Sequence, residues 1–296
     1  MKNLWSDADS TLFEGDLALR VYTSRLLGQD STLVLHGGGN TSVKITESNI
    51  VGNQEEILYV KGSGWDLEFI EAAGFSPVRM NHMLSLAKLD SLSDPQMVNE
   101  LKTQLTNATS PAPSVETILH AILPFKYVDH THADAVVTIT NTTAGEDRIR
   151  EIYGDRVVII PYVMPGFDLA KDVARIFSEQ STDKTEGMIL MNHGIFSFGD
   201  NAKESYDRMI SLVNEAENYL VSNNAWDIDK SETNFSVKKI RNQVAELRQK
   251  ISFPVGKPVL MSLTNSQLGL SFSNRKDVNE IATRGPLTPD HVIRTK

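Results

Sequence analysis

Hydrophobic side chains recur at helical spacing over several stretches of the chain. Between residues 11 and 28, Leu12, Leu17, Val21 and Leu26 recur near the helical period, and Gly28 is a typical helix stop. The same kind of pattern predicts helices at residues 95–105, 114–123, 168–179, 202–223 and 237–250. Amphipathic segments of this kind are typical of helices that pack one face against a core.

Short runs of apolar and β-branched residues alternate with these segments. They predict strands at residues 33–35, 42–45, 57–61, 127–132, 135–140, 157–160, 187–191, 259–263 and 268–272. Several of the connections are too short to contain a crossover helix, so neighbouring strands are expected to pair antiparallel more often than parallel. The mixture of elements predicts an α/β protein.

The character of the chain changes near residue 224. The stretch W-D-I-D-K-S-E-T-N is polar, and a charged helical segment follows it. Linkers between domains have this composition, so we expect one domain at residues 1–224 and a C-terminal extension at residues 225–296. The sequence assigns no role to the extension.

Composition narrows the classes of function. No apolar run approaches the ~20 residues of a membrane-spanning helix, and the N-terminus has no apolar secretion signal, so a cytoplasmic protein without a membrane partner is expected. The chain has no cysteine, which excludes disulfides and thiolate metal ligands. The net charge of −9 and the lack of a basic stripe argue against nucleic-acid binding.

Three histidines are the strongest chemical candidates. His130 and His132 stand one residue apart at the end of an apolar strand and should project to the same side, while His193 follows another apolar run. Three imidazoles with one open position suit a catalytic zinc or similar divalent metal. Asp129 and Asp134 would then orient the ligand rings. The alternative is a pair of ordinary strand histidines bonded to these same carboxylates.

Glu116 is the candidate acid or base for such a metal site. A carboxylate in the first turn of a helix is also favoured by the helix dipole alone, so the local sequence leaves both readings open. His120 lies one turn further on. We expect it to be a buried or supporting residue and not a ligand.

Two glycine-rich turns, H-G-G-G-N-T-S at residues 36–42 and K-G-S-G at residues 61–64, bound predicted strands. Their backbone N–H groups would suit an anion, with Asn40, Thr41 and Ser63 as supplements and Lys61 as a further candidate. Two tight turns of a meander are an equally good interpretation. Neither turn is a Walker A loop, a dinucleotide fingerprint is missing, and no G-x-S-x-G elbow is present.

In order, the G-G-N-T-S turn, K-G-S-G, S-V-E, H-T-H, P-Y-V-M-P-G and N-H-G motifs resemble the class II aldolase/adducin family over roughly residues 12–220. The resemblance implies an acid/base role for Glu116 and metal ligation by His130, His132 and His193. It also implies that a substrate phosphate binds at Asn40, Ser42, Ser63, Gly64 and Ser114. Val115 departs from the family's S-S-E and removes one hydroxyl from that phosphate site.

The resemblance implies that Tyr162, four residues before Gly166, reaches the active site of a neighbouring subunit. More closely, the glycine turns, D-H-T-H-A-D-A and the terminal R-G-P-L-T-P-D-H-V-I-R-T-K resemble the aldolase half of bifunctional rhamnulose-1-phosphate aldolase/short-chain dehydrogenase proteins. No dinucleotide-binding half follows here, so a stand-alone or truncated relative is expected. His291 belongs to the tail motif and receives no role.

What the resemblance implies for the whole protein is a three-layer α/β/α fold with a mainly antiparallel sheet, assembled as a homotetramer. The implied reaction is zinc-dependent retro-aldol cleavage of a ketose 1-phosphate, of the rhamnulose or fuculose type, to dihydroxyacetone phosphate and an aldehyde. Two alternatives remain open. One is a sugar-phosphate epimerase or dehydratase of the same superfamily, and the other is a non-catalytic adducin-like interaction module.

Overall fold

The computed structural model of the protein describes residues 1–227, 237–262 and 266–294. The chain divides into two compact units. The first contains Met1–Asn223 together with the tail from Pro286, and the second is Asn224–Gly285. In the described ranges, no helix combines the length and the apolar character that crossing a membrane requires.

The first unit is built on a sheet of seven strands within the described residues. They are β1 (Asn40–Ser48), β2 (Gln54–Lys61), β3 (Phe75–Arg79), β4 (Tyr127–Thr131), β5 (Val157–Ile160), β6 (Gly187–Leu190) and β7 (Gly194–Gly199). Their order across the sheet is β3-β2-β1-β4-β7-β6-β5. Only β5 and β6 pair in parallel, so the prediction of a mainly antiparallel sheet is confirmed.

Helices accompany both units. The first unit contains α1 (Asp7–Ser10), α2 (Asp16–Gly28), α3 (Met80–Leu86), α4 (Asp94–Thr103), α5 (Thr117–Ile122), α6 (Asp134–Thr140), α7 (Gly145–Tyr153), α8 (Phe167–Gln180) and α9 (Ala202–Ser222), and α13 (Pro289–Arg294) in the tail. Short 3-10 turns occupy Leu67–Phe69 and Ala72–Gly74. The second unit contains α10 (Val237–Val255), α11 (Gln267–Ser273) and α12 (Val278–Ile281).

The helices of the first unit cover both faces of the sheet. On one face α3, α4, α5 and α8 pack apolar side chains, including Leu119 and Val173, against strand residues such as Phe198. On the other face α2 and α9 pack against β1, β4 and β7, and α6 and α7 lie against α9. This is the three-layer α/β/α arrangement that the resemblance implied.

The alternation along β4 decides which side chains can reach the site. Val128 and His130 face α5 and α8, and the His130 ring stacks on Phe196 at a centroid distance of 4.1 Å. Asp129 points the opposite way and forms a fully buried ion pair with Arg20, with 2.5 Å between nitrogen and oxygen. Ser205 on α9 also donates to the Asp129 carboxylate. The buried ion pair therefore anchors β4 from the face of the sheet opposite His130.

Three of the predicted strands are wrong. Residues 135–140 form α6, since nearly every side chain there is buried and no polar alternation separates helix from strand. Residues 33–35 lie in a turn before the first glycine motif. Residues 268–272 belong to α11, which begins where the Ser266 hydroxyl accepts the Gly269 N–H. Of the predicted strand at 259–263, residues 259–262 form no regular element and 263 lies outside the described residues.

Candidate active site

The candidate residues meet at one end of the sheet. Asn40 is the first residue of β1, Lys61 the last of β2, and His130 lies near the end of β4. Because β1 and β4 are antiparallel, the register places Asn40 directly opposite His130. The turn from β6 into β7 brings His193 to the same end. Residues far apart in the chain thus converge through strand pairing alone.

The three histidines converge as predicted. One ring nitrogen from each of His130, His132 and His193 lies within 4.8 Å of the others, and all three side chains are buried. The Nε2 atoms of His130 and His132 are 3.1 Å apart. In the turn that presents His193, Asn192 adopts a φ of +58°. A side chain at Gly194 would collide with the Thr131 carbonyl, so this close approach requires glycine.

The groups that orient two of the rings differ from those expected. His130 Nδ1 lies 3.1 Å from the Ile195 carbonyl oxygen, and His132 Nδ1 lies 2.6 Å from Asp290 Oδ1. The expectation that Asp129 and Asp134 orient the rings is wrong. Asp129 sits on the opposite face of β4 and pairs with Arg20, and Asp134 begins α6.

Glu116 is the carboxylate of this centre. Its two oxygens lie 3.6 Å from Nε2 of His130 and of His193, and it accepts a hydrogen bond of 2.6 Å from the Asn40 amide. Burial raises the pKa of Glu116, but the imidazoles and the Asn40 amide outweigh burial and lower that pKa to about 2. The carboxylate is therefore ionised at neutral pH.

The donor set fits a divalent metal. Burial lowers the pKa of His130 and His193, while the nearby Glu116 carboxylate acts in the opposite direction. Among the buried polar atoms of the described residues, Glu116 Oε1 and His193 Nδ1 have no hydrogen-bond partner. Three buried imidazoles beside one carboxylate match the oxygen and nitrogen ligands of zinc and related cations.

His120 is fully buried and contacts two residues of the candidate site. Its ring lies between Asn40 and Ser42: Nε2 contacts Asn40 Oδ1, and Nδ1 lies 2.8 Å from the Ser42 hydroxyl. The Asn40 amide is thereby fixed so that its nitrogen donates to Glu116 and to Ser114 Oγ, the latter at 3.2 Å. Ser42 is fully buried and does not line the cavity, so the structure places it behind the site.

A cavity of about 530 Å³ opens above the histidines. The two glycine turns, Asn40 and Lys61 form much of its wall, and Glu116, His132 and His193 lie at its base. Of the predicted phosphate residues, Asn40, Ser63, Gly64 and Ser114 line it, and so does the exposed Val115. The two turns thus face the same space as the histidines.

Lys61 supplies positive charge to this cavity. Its side chain is 4% exposed and its ammonium donates to the Gly37 carbonyl at 2.7 Å, which joins the two glycine turns. Burial lowers the pKa of Lys61 to about 8, although Asp66, Asp290 and Glu116 act in the opposite direction. The ammonium is thus protonated at neutral pH and can attract an anion.

Tyr162 is not brought to Glu116 within this chain. It follows β5, is 54% exposed, and its hydroxyl contacts the Met164 sulfur at 3.8 Å. It lines a second, more apolar cavity of about 710 Å³, which shares Pro165, His193 and Pro289 with the first.

Asp290 is the site residue that the sequence did not assign. It lies in the tail motif D-H-V-I-R-T-K, beside His291, and 158 positions from the histidine that it contacts. The only indication available was its place in a motif shared with the resembled proteins.

Comparison with known families agrees with this geometry. Residues 18–220 match the family described as Class II Aldolase and Adducin N-terminal domain, and residues 233–296 match the one described as Aldolase class II, second domain. The chain is 33% identical over 306 residues to a Bacillus subtilis (strain 168) protein described as the uncharacterized oxidoreductase YuxG. That match covers 100% of this chain and 43% of the relative, so the chain spans less than half of the relative's length.

Two solved structures share the fold. The N-terminal class II aldolase domain of a conserved protein from Thermoplasma acidophilum is 47% identical, with a TM-score of 0.69 over 74% of this chain and 99% of that chain. An aldolase II superfamily protein from Pseudomonas syringae, 15% identical, has a TM-score of 0.52 over 82% of this chain and 89% of that chain. The resemblance predicted from the order of the motifs is confirmed: the chain belongs to the class II aldolase and adducin family.

Proposed function

We propose that this chain is a divalent-metal-dependent aldolase, with zinc as the expected metal, that cleaves a ketose 1-phosphate to dihydroxyacetone phosphate and an aldehyde. One observation carries the proposal. Three buried imidazoles and the ionised Glu116 converge at the base of a cavity whose wall is made of two glycine turns joined by Lys61. This arrangement combines a metal centre, an acid/base group and an anion site within one cavity.

The anion end of the cavity suits a phosphate. In a chain of net charge −9, Lys61 places a positive charge in the wall of the cavity. Asn40, Ser63 and Ser114 offer amide and hydroxyl groups on the same wall. Holding the phosphate at a fixed distance from the histidines would position the rest of the sugar, so that remote binding energy contributes to orientation.

His130, His132 and His193 would hold the metal. When bound, the cation would supply Lewis-acid polarisation of the substrate carbonyl. The protein's own contribution is to bring the three imidazoles together in a buried position and to orient two of the rings through Ile195 and Asp290. The three histidines and Glu116 are buried, which strengthens the charge interactions between them.

Glu116 would move the proton. Retro-aldol cleavage breaks the C3–C4 bond and leaves its electron pair on C3, conjugated with the C2 ketone. C3 must then gain a proton and the C4 hydroxyl must lose one. The Asn40 amide holds Glu116 in a fixed orientation beside two of the histidines. In the condensation direction the ionised, fixed carboxylate can take the proton from C3. In cleavage Glu116 would first take up a proton from solvent and give it to C3, while the proton of the C4 hydroxyl leaves to solvent, so that one proton enters and one leaves.

The proton at the C4 hydroxyl requires a second group, and we assign it to Tyr162 of a neighbouring subunit. Tyr162 is exposed and lies outside the Glu116 cavity of its own chain, which fits a side chain that acts across a subunit contact. The proposal therefore includes a homotetramer. The greater length of the B. subtilis relative, itself described as an oxidoreductase, fits a protein that joins an aldolase half to a second enzyme.

The experiment that tests the proposal is an assay for dihydroxyacetone phosphate released from a panel of ketose 1-phosphates, including rhamnulose and fuculose 1-phosphate. We expect release from at least one substrate, loss with a chelator and recovery with zinc. Conversion of a sugar phosphate into an isomer or a dehydrated product, without cleavage, would replace the aldolase with an epimerase or dehydratase. Metal-free protein without activity on any member would favour the interaction module.

A further inference from the structure

A short segment of the C-terminal tail enters the candidate metal centre. Asp290, at the start of α13, is 2% exposed. Its Oδ1 lies 2.6 Å from His132 Nδ1, and its Oδ2 accepts the Leu35 backbone N–H at 2.9 Å. One carboxylate therefore connects the tail, the first glycine turn and a candidate ligand.

The surrounding residues leave a space that this carboxylate fills. A methyl group on Gly38 would lie 1.5 Å from Asp290 Oδ1, so only glycine leaves room for it. Gly38 does not have a positive φ, so space and not backbone conformation explains the glycine. The neighbouring Pro289 lines the substrate cavity, and Asn141 donates to the Leu287 carbonyl at 3.4 Å. Several contacts thus place the tail against the first unit.

We propose that Asp290 is a positioning residue for the metal centre: it accepts the Nδ1 proton of His132 and thereby directs the His132 Nε2 lone pair toward His130 and His193. This inference rests on the metal centre of the proposed function, and not on the reaction that the centre catalyses.

The chemistry of imidazole gives the reason. A neutral imidazole carries one N–H, and the partner of one nitrogen decides which nitrogen keeps its lone pair. The Asp290 Oδ1 atom lies at hydrogen-bond distance from Nδ1 and serves as the acceptor, so the ring proton on Nδ1 leaves the Nε2 lone pair free. His132 Nε2 lies 3.1 Å from His130 Nε2, on the side where the three histidines converge. The Leu35 N–H fixes the carboxylate itself, since it engages the other oxygen.

The positioning role has a consequence for chain organisation. The second unit, Asn224–Gly285, lies between the body of the first unit and this tail in the sequence. A protein that ends before Pro286 would retain all three histidines and lose the carboxylate that orients one of them. Removal of such a hydrogen-bond partner typically lowers metal affinity by about 10- to 100-fold.

The test uses the full chain and four variants: D290A, D290N, G38A and the double variant G38A/D290A. D183N, which changes an exposed aspartate, is the matched control. Zinc affinity is measured by competition with a chromophoric chelator. The tautomer of His132 is measured in metal-free protein by NMR with ¹⁵N-labelled histidine. This measurement shows which ring nitrogen carries the proton, and it needs neither metal nor substrate.

We expect His132 to carry its proton on Nδ1 in the wild type and to lose this preference in D290A. Zinc affinity should fall about 10- to 100-fold in D290A. Zinc affinity should fall less in D290N, because the amide oxygen of asparagine can still accept a hydrogen bond although the side chain carries no charge. G38A should lower affinity as D290A does, because its methyl group displaces the carboxylate. In the double variant the obstructed group is absent, so the two losses should not add.

A wild-type His132 protonated on Nε2, or D290A and G38A affinities within twofold of D183N, would overturn the proposal. If D290A does not fold, G38A and D290N decide the question by the same criteria. Tight zinc binding that depends on Asp290, without cleavage of any ketose phosphate, would refute the aldolase reaction and leave this inference standing.

Discussion

The charge of Lys61 should make the binding of a phosphorylated substrate depend on pH in a way that can be measured. Burial lowers the pKa of Lys61 to about 8, and Lys61 lines the cavity. A phosphate monoester has its second pKa near ~6 and is already doubly ionised above neutral pH. Raising the pH from 7 to 9 therefore changes the lysine and not the phosphate. We expect KM for the phosphorylated substrate to rise through this range.

The magnitude follows from the pKa. With a pKa of about 8, Lys61 is about nine-tenths protonated at pH 7 and about one-tenth protonated at pH 9. Binding that needs the ammonium should weaken about tenfold over these two pH units. Replacing Lys61 with methionine removes a charge-assisted contact of about 1.5–3 kcal/mol, so KM at pH 7 should rise about 10- to 150-fold. The K61M profile should then be flat between pH 7 and 9.

Lys44 provides a matched control. Burial also lowers its pKa to about 8, but its ammonium donates to the Leu123 carbonyl and it does not line the substrate cavity. The assay is steady-state KM at half-unit steps from pH 6.5 to 9.5 for wild type, K61M and K44M. K44M should keep the wild-type profile. A wild-type KM that is constant from pH 7 to 9, or a K61M profile that rises like wild type, would refute the assignment of Lys61 to the anion site.

Three further predictions concern other parts of the site. E116Q should lower kcat about 10²- to 10⁴-fold while zinc is retained, since a positioned acid/base group is worth about that much; loss of zinc with unchanged kcat per bound metal would contradict this role. D129N should lower the free energy of unfolding in urea by about 3–5 kcal/mol, because it leaves the fully buried Arg20 charge unpaired. E146Q, which breaks the exposed ion pair with Arg150, should change the free energy of unfolding by no more than about 1 kcal/mol. Equal effects of D129N and E146Q would be evidence against a stabilising role of the buried pair. V115S should lower KM for phosphate-bearing substrates by about three- to tenfold by restoring a hydroxyl to the cavity wall; an unchanged KM would show that residue 115 does not contact the phosphate.

Much of the metal centre could be predicted because it depends on local rules. His130 and His132 stand at the end of an apolar run, and His193 follows another, so strand geometry and residue chemistry were enough to bring them together. Glu116 was identified by its residue type and by the resemblance. These features need no knowledge of how distant segments pack.

The contact made by Asp290 and the lowered pKa of Lys61 could not be predicted, because both depend on how distant segments pack. The contact between Asp290 and His132 spans 158 residues and passes through another compact unit, so no periodicity indicates it. The pKa of Lys61 depends on how deeply the fold buries the side chain, and the sequence does not contain that quantity. Asp129 was misassigned because adjacency in sequence was taken for adjacency in space, whereas neighbours on a strand point to opposite faces.

The fold shows the same division between local and distant effects. The predicted bounds of β5 and β6 agree closely with the structure, whereas β2 begins three residues before its predicted start. Residues 135–140 were predicted as a strand because the run is β-branched, but packing against α7 and α9 buries this segment as a helix and overrides the local preference. The layered arrangement came from the resemblance and not from periodicity.

The central claim is that the three histidines hold a metal on which cleavage depends. The most direct test is to strip the purified protein with a chelator, titrate zinc back, and follow bound metal and dihydroxyacetone phosphate release together. The account predicts one zinc per chain, activity that rises in proportion to bound zinc, and loss of both in H193A. Full activity of the stripped protein, with substrate trapped by borohydride as a lysine adduct, would contradict it.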